Sequence, residues 1–253
     1  VVIGGLAYDW FEEDGGPFVQ SFLADTLTAL NSLGGVDQYL DGVPFHYYPI
    51  SAARWPTIRE KGAEIRAIMA NNGAGALSLL TPEMGYWSSP CHFDSSEQKQ
   101  AQRLVQMYIR GLSINIPILS WYKMFDTAVA CSGDDLYPDR TSGLLRLDHS
   151  FKPSYYAFET MATELARYDY NRQKAAAGAE GYVFRRADGR EKTVVWSSAG
   201  TANVAFPYTH LRVVTIAGDE YHFWDNQPGD LDGGAVGQIT IAVYENQPVF
   251  VDP

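Results

Sequence analysis

The stretch SLLTPEMGYWSS holds the residue best placed to do chemistry, Glu83. It follows an apolar run, and Thr81 precedes a proline, which holds that residue extended. The strand therefore runs straight on to Glu83. A carboxylate at the C-terminal end of a buried strand can point into the mouth of a barrel and act as a nucleophile or a general acid–base. It can equally be the first polar residue after a buried strand. The neighbouring strand ends favour the first reading. FHYYP ends the strand before it and SWYKMFD the strand after it, which puts His46, Tyr47, Tyr48, Trp121 and Tyr122 on the same rim. A tyrosine hydroxyl beside a carboxylate donates a hydrogen bond that aims it. An indole offers a flat apolar face to a ligand with an apolar side, sugars included.

The elements that must position these groups alternate. Residues 1–8 read as a buried strand, and a helix is expected to open at Pro17, carrying Phe18, Phe22, Leu23, Leu27 and Leu30 on one stripe until Gly34 and Gly35. Val43 to Tyr48 is a strand, residues 56–72 a helix, Ala76 to Leu80 a strand, and EQKQAQRLVQMYIRGL from Glu97 an amphipathic helix. Ile116 to Trp121 is the fourth strand, and Pro153 opens a last helix. About four βα units with strands this apolar predict a parallel sheet covered by helices. Their long loops follow the strands, as at the active-site face of a β/α barrel.

Near residue 172 the texture changes. QKAAAGAEG reads as a flexible linker. After it, YVFRR, KTVVWS, NVAFP, LRVVTI, EYHFW, QITIAV and PVFV are separated by turn signals, which predicts a small antiparallel β-sandwich. The expected class is α/β plus all-β, with residues 1–172 forming part of a barrel and 173–253 an accessory sandwich.

This order resembles the C-terminal half of a clan A glycoside hydrolase barrel, most like the family 39 enzymes. In that family a strand ending in a His-and-Tyr segment is followed by one ending in T-E-x-G around the catalytic nucleophile, then by one ending in W-Y with a nearby Asp. The resemblance implies that Glu83, in TPEMG, is the nucleophile, that Tyr47 or Tyr48 holds it, and that Trp121 is a sugar platform. GLLRLDHSFKPSYYAFETM resembles the family's closing segment, whose helix starts at K-P. The resemblance spans about residues 1–170, implies a carbohydrate substrate and brings no cofactor or metal.

One departure matters. Retaining glycosidases use two carboxylates about 5–5.5 Å apart, and the clan places its acid/base as a Glu after an Asn at the end of the fourth strand. No Asn-Glu dipeptide occurs in these 253 residues. Asp9 is the same-rim acid left, a poor substitute that fits better as a loop acid or a hydrogen-bond partner to substrate. The chain alone is expected to be inactive. A half barrel leaves two open sheet edges, so either the chain is a fragment of a longer polypeptide, as Val1 in mid-strand suggests, or a second chain or copy completes it. The competing reading is a non-catalytic carbohydrate-binding or scaffold protein with a degenerate barrel; a purely structural module is a third.

Composition narrows the rest. With 19 Lys plus Arg against 30 Asp plus Glu, the net charge of -11 disfavours nucleic acid and anionic membranes. No apolar run reaches bilayer-spanning length, and an extracellular or periplasmic location is expected. Cys91 and Cys131 follow consecutive strands and are either a disulfide or two thiols. His92 beside Cys91 lacks further ligands at a useful spacing. Asp225, Asp230 and Asp232 have the composition of a calcium loop or of a plain Asp/Gly turn, the latter preferred. Neither a phosphate-binding glycine loop nor a G-x-S-x-G elbow is present.

Overall fold

The computed structural model of the protein describes residues 1–49, 53–89, 94–129 and 138–253. The chain forms two compact units, Val1–Tyr86 with Arg110–Met124, and Trp87–Ile109 with Phe125–Pro253. The architecture is mixed α/β, with one parallel sheet and separate antiparallel sheets.

In the first unit, β1 (Gly42–Tyr47), β2 (Ser78–Met84) and β3 (Leu119–Trp121) form a parallel sheet in that order. The expected first strand is reduced to two parallel bridges onto β1, Val2 to Gly42 and Leu6 to Phe45. Gly4 and Gly5 interrupt the apolar run, and Tyr8 and Trp10 take positive φ values of 45° and 41° that no strand allows. Leu6 nevertheless keeps ladder geometry, donating to the Pro44 carbonyl and accepting from the His46 amide at 2.7 Å.

Helix α1 is Phe22–Ser32, not a helix from Pro17. Phe18 is instead bridged to Phe11, so the buried stripe shrinks to Leu23 and Leu27 while Phe22 faces solvent. Helix α2, Ile58–Asn71, starts on a capping box in which Thr57 and Glu60 satisfy each other's backbone donors. It buries Ile58, Ile65 and Met69, and also Lys61. Helix α3 runs Glu97–Ser113; Gly111 in its last turns lets Leu119 come close, since a Cβ there would lie 2.7 Å from that side chain.

In the second unit, α4 (Pro153–Glu164) carries its proline at the first helical turn, where no amide is needed. Eight strands follow: β4 (Tyr168–Lys174), β5 (Ala179–Arg186), β6 (Glu191–Ser197), β7 (Thr201–Phe206), β8 (His210–Thr215), β9 (Glu220–Trp224), β10 (Ile239–Tyr244) and β11 (Val249–Asp252). They make a six-stranded sheet ordered β4-β5-β6-β11-β8-β9 and a two-stranded sheet of β10 and β7. Both sheets contribute to one core, with Val195, Leu211, Val213 and Val251 packed among Val204, Phe206, Ile241 and Val243. The stretch read as a linker is a hairpin: β4 continues to Lys174, Gly178 turns at φ 72°, and β5 begins at Ala179. Its strand YDYNRQK was hidden because most of it stays exposed at the sheet edge.

Glu164 ties α4 to the large sheet. Arg212 holds it with two bonds of 2.9 Å and Lys192 joins from β6. Burial works against the Glu164 charge, but those hydrogen bonds keep its carboxyl below the usual range.

Candidate active site

At the rim of the parallel sheet Tyr48 and His46 meet Glu83, while Tyr47 and Trp121 stand in register with Met84, one residue further along β2. Strand pairing sets His46 beside Glu83 and Tyr47 beside Met84, and Met84 beside Trp121. Successive side chains on a strand alternate faces, so His46 and Tyr48 share a side that Tyr47 does not. Tyr48 is the tyrosine on the carboxylate: its hydroxyl donates to Glu83 Oε1 at 2.7 Å. His46 Nδ1 lies 3.6 Å from the same oxygen, with both side chains about a third exposed or less. Tyr47 is only 3% exposed and belongs to the core. Trp121 is half-buried and Tyr122 is exposed.

Gly85 explains the last letter of TPEMG. A Cβ on it would lie 2.5 Å from the Tyr122 carbonyl oxygen and 2.9 Å from Tyr48 Cε1. The Tyr122 amide also donates to the Met84 carbonyl at 2.7 Å. Glycine here lets the backbone after β3 and the Tyr48 ring crowd against the end of β2. The missing Cβ thus leaves room for the Tyr48 ring beside the end of β2.

Asp9 is engaged elsewhere. Lys61 Nζ lies 3.3 Å from its carboxylate and donates to the Ala7 carbonyl at 2.6 Å. The Lys61 side chain is 1% exposed, and burial pushes its ammonium down to about 8 despite Asp9. Trp55 covers it, its ring 5.0 Å from Nζ. Beside it Glu64 accepts from Trp55 Nε1 at 2.8 Å, Arg54 at 2.9 Å and the Tyr8 hydroxyl at 3.0 Å. Burial raises the Glu64 carboxyl, and these donors more than reverse it. The local sequence does not announce this cluster, because Tyr8 lies 56 positions from Glu64 and Asp9 52 positions from Lys61.

In the second unit Asp126, the acid following the W-Y segment, is buried against Lys152. Lys152 Nζ donates to Asp126 at 2.7 Å, to Ser88 Oγ at 2.8 Å and to the Thr141 carbonyl at 3.1 Å. Burial raises the Asp126 carboxyl and lowers the Lys152 ammonium in spite of their attraction. The lysine of K-P is therefore an anchor that ties the loop to the start of α4.

The Asp/Gly segment is a network of turns. Asp230 accepts from the amides of Asn226 and Thr240, both at 3.0 Å. Asp232 accepts from Gly234 and Ala235, and Asp225 from Gly237. Among the described residues no group of three or more His, Cys, Asp or Glu could hold a metal ion. Cys91, His92 and Cys131 lie outside the described residues. No helix among those described is long and apolar enough to cross a membrane.

No protein-family model matches the chain, and no curated protein matches it. Solved structures do. A family 39 glycoside hydrolase from the gut symbiont Bacteroides cellulosilyticus WH2 superposes with a TM-score of 0.64 at 19% identity, over 88% of this chain and 46% of that one. A GH39 β-xylosidase from Caulobacter crescentus gives 0.55 at 14% identity, over 91% and 54%. A GH51 arabinofuranosidase from Xanthomonas axonopodis pv. citri gives 0.55 at 12%, over 90% and 55%. The chain thus has the fold of clan A glycoside hydrolases, and it spans about half the length of these relatives.

Proposed function

We propose that the chain is the C-terminal portion of a retaining glycoside hydrolase, comprising the last four βα units of a barrel and an accessory β-sandwich. The observation that carries this is the Tyr48 hydroxyl on Glu83 at the end of β2, with His46 beside it. Glu83 is the nucleophile. Its carboxylate oxygen attacks the anomeric carbon as the glycosidic C–O bond breaks, and the departing oxygen takes a proton from an acid. Water then cleaves the glycosyl ester with the same group acting as base, so configuration is retained. Tyr122, exposed just past the end of β3, faces the sugar, and Tyr48 and His46 position Glu83.

That acid is supplied by polypeptide outside these residues. The absence of an Asn-Glu pair and the coverage of only about half of the relatives' length support this. An open apolar edge is a template for further strands. An enzyme of this kind, acidic overall, suits an extracellular or periplasmic setting.

The test uses the protein isolated from its source and its Glu83→Gly variant. The variant should lose turnover of aryl glycosides by about 10³-fold or more. Sodium azide, fitting the space left, should restore product formation as a glycosyl azide of inverted configuration. Undiminished turnover removes Glu83 from the mechanism. Sugar binding through Trp121 and Tyr122 with no turnover and no dependence on Glu83 would favour the non-catalytic binder.

A further inference from the structure

β2 carries one residue more than either of its neighbours. Against β1, Leu80 stands opposite Pro44 and Glu83 opposite His46, so three steps along β2 match two along β1. Against β3, Thr81 stands opposite Leu119 and Met84 opposite Trp121, again three steps against two. The residue that both gaps share is Pro82. A proline has no amide to give to a ladder, and inside a sheet it is confined to edges and bulges. β2 is the middle strand of the parallel sheet, so the bulge is what admits it, and bulges in parallel pairs are rare. Bonding continues on either side of the gap: the Thr81 amide donates to the Ile118 carbonyl at 2.9 Å and the Gly85 amide to the Tyr47 carbonyl at 3.3 Å.

The bulge decides which side chains share a face. Leu79, Thr81 and Met84 are each 0% exposed, and Leu79 lies against Gly62 of α2. In an unbroken strand Thr81 and Met84 would point opposite ways. The extra residue turns both to the buried side and leaves Pro82, exposed, next to Glu83, half-buried, on the other. That other side is the one on which Tyr48 and His46 meet Glu83. Removing Pro82 would close both gaps at once and still set Glu83 opposite His46. The strand therefore does not need the proline to aim the carboxylate. What the insertion adds is a pyrrolidine ring beside it.

We propose that Pro82 is a substrate-contacting residue whose ring packs against C–H groups of the sugar that Glu83 attacks, given the reading of Glu83 as nucleophile. Successive residues of a strand are about 3.3 Å apart, and a sugar ring is wider than that. A sugar with its anomeric carbon at Glu83 must therefore lie over the neighbour on the same face. The pyrrolidine ring has neither donor nor acceptor, so it takes an apolar face of the sugar. It touches no atom of the breaking bond, so it contributes equally to the ground state and the transition state.

The experiment compares steady-state kinetics and urea unfolding of the full-length enzyme with Pro82→Ala, Pro82→Val and a deletion of Pro82. Pro82→Ala should raise KM for an aryl glycoside about fivefold and leave kcat within about twofold. Pro82→Val returns an apolar surface and should bring KM back to within about twofold of the wild type. The deletion restores an even ladder, so it should keep the unfolding midpoint and show a KM at least as high as that of Pro82→Ala. In the Glu83→Gln enzyme, the Kd of the same glycoside should rise by the same factor when Pro82→Ala is added. Turnover that survives Glu83→Gln would remove the nucleophile, and the Kd comparison would still judge Pro82 by itself. An unchanged KM and Kd in Pro82→Ala, a fall in kcat at constant KM, a valine variant no better than the alanine one, or a deletion that unfolds would overturn the proposal.

Discussion

Glu83 and Tyr48 are 35 residues apart in sequence yet share a hydrogen bond of 2.7 Å. A bond to a charged acceptor contributes roughly 1.5–3 kcal/mol. Tyr48→Phe should therefore lower kcat/KM of the enzyme about 10–100-fold, and steady-state kinetics on an aryl glycoside would check it. Tyr47→Phe should leave kcat/KM within about threefold, because that ring packs in the core. Glu83 was legible from Thr81-Pro82 and the apolar run before it. The choice between Tyr47 and Tyr48 was not, since it depends on which face of β1 meets the rim. Lys61 was invisible for another reason: helical periodicity gives a charged residue to solvent, and its Asp9 partner lies 52 positions away. Its burial makes a pH prediction. Below about pH 8 both folded and unfolded chains hold the Lys61 proton, and the fold bears the cost of a buried charge. Between about 8 and 10.5 the folded chain has lost the proton that the unfolded chain keeps, so stability rises with pH. The urea midpoint of the wild type should climb over that window relative to Lys61→Met. A pH-independent difference would contradict the assignment.

At the scale of elements, the strand–helix order and the β-rich end were readable because strands and helices differ in period. What escaped were joins. Positive φ at Tyr8 and Trp10 breaks the first strand, and β4 looks like a linker because its exposed edge carries polar residues. Two joins are testable. Gly85→Ala should push a Cβ against the Tyr122 carbonyl and the Tyr48 ring. Activity should fall more than stability does, read by comparing kcat/KM with the unfolding midpoint. The Asp126–Lys152 pair anchors the start of α4. Lys152→Met leaves a buried carboxylate unpaired and should cost about 3–5 kcal/mol. Adding Asp126→Leu should recover much of that loss, in a double-mutant cycle followed by urea unfolding. Strict additivity of the two changes would mean that the pair is not coupled.

Across the whole molecule, likeness to clan A enzymes covers nearly all of this chain and about half of theirs. A parallel sheet of three strands plus a bridged segment and a two-against-six arrangement of antiparallel strands both leave apolar surface that further polypeptide can cover. Missing from the sequence is the Asn-Glu acid/base, and present is a positioned glutamate. On the proposed function, Glu83 is the nucleophilic half of a two-carboxylate site. The most direct measurement is covalent trapping: the protein from its source, treated with a panel of 2-deoxy-2-fluoro-glycosyl fluorides, then digested and mapped by mass spectrometry. The account predicts one fluoroglycosyl group on the peptide containing TPEMG, esterified to Glu83. A glycosyl ester on any other carboxylate, or glycoside turnover that survives Glu83→Gln, would contradict it.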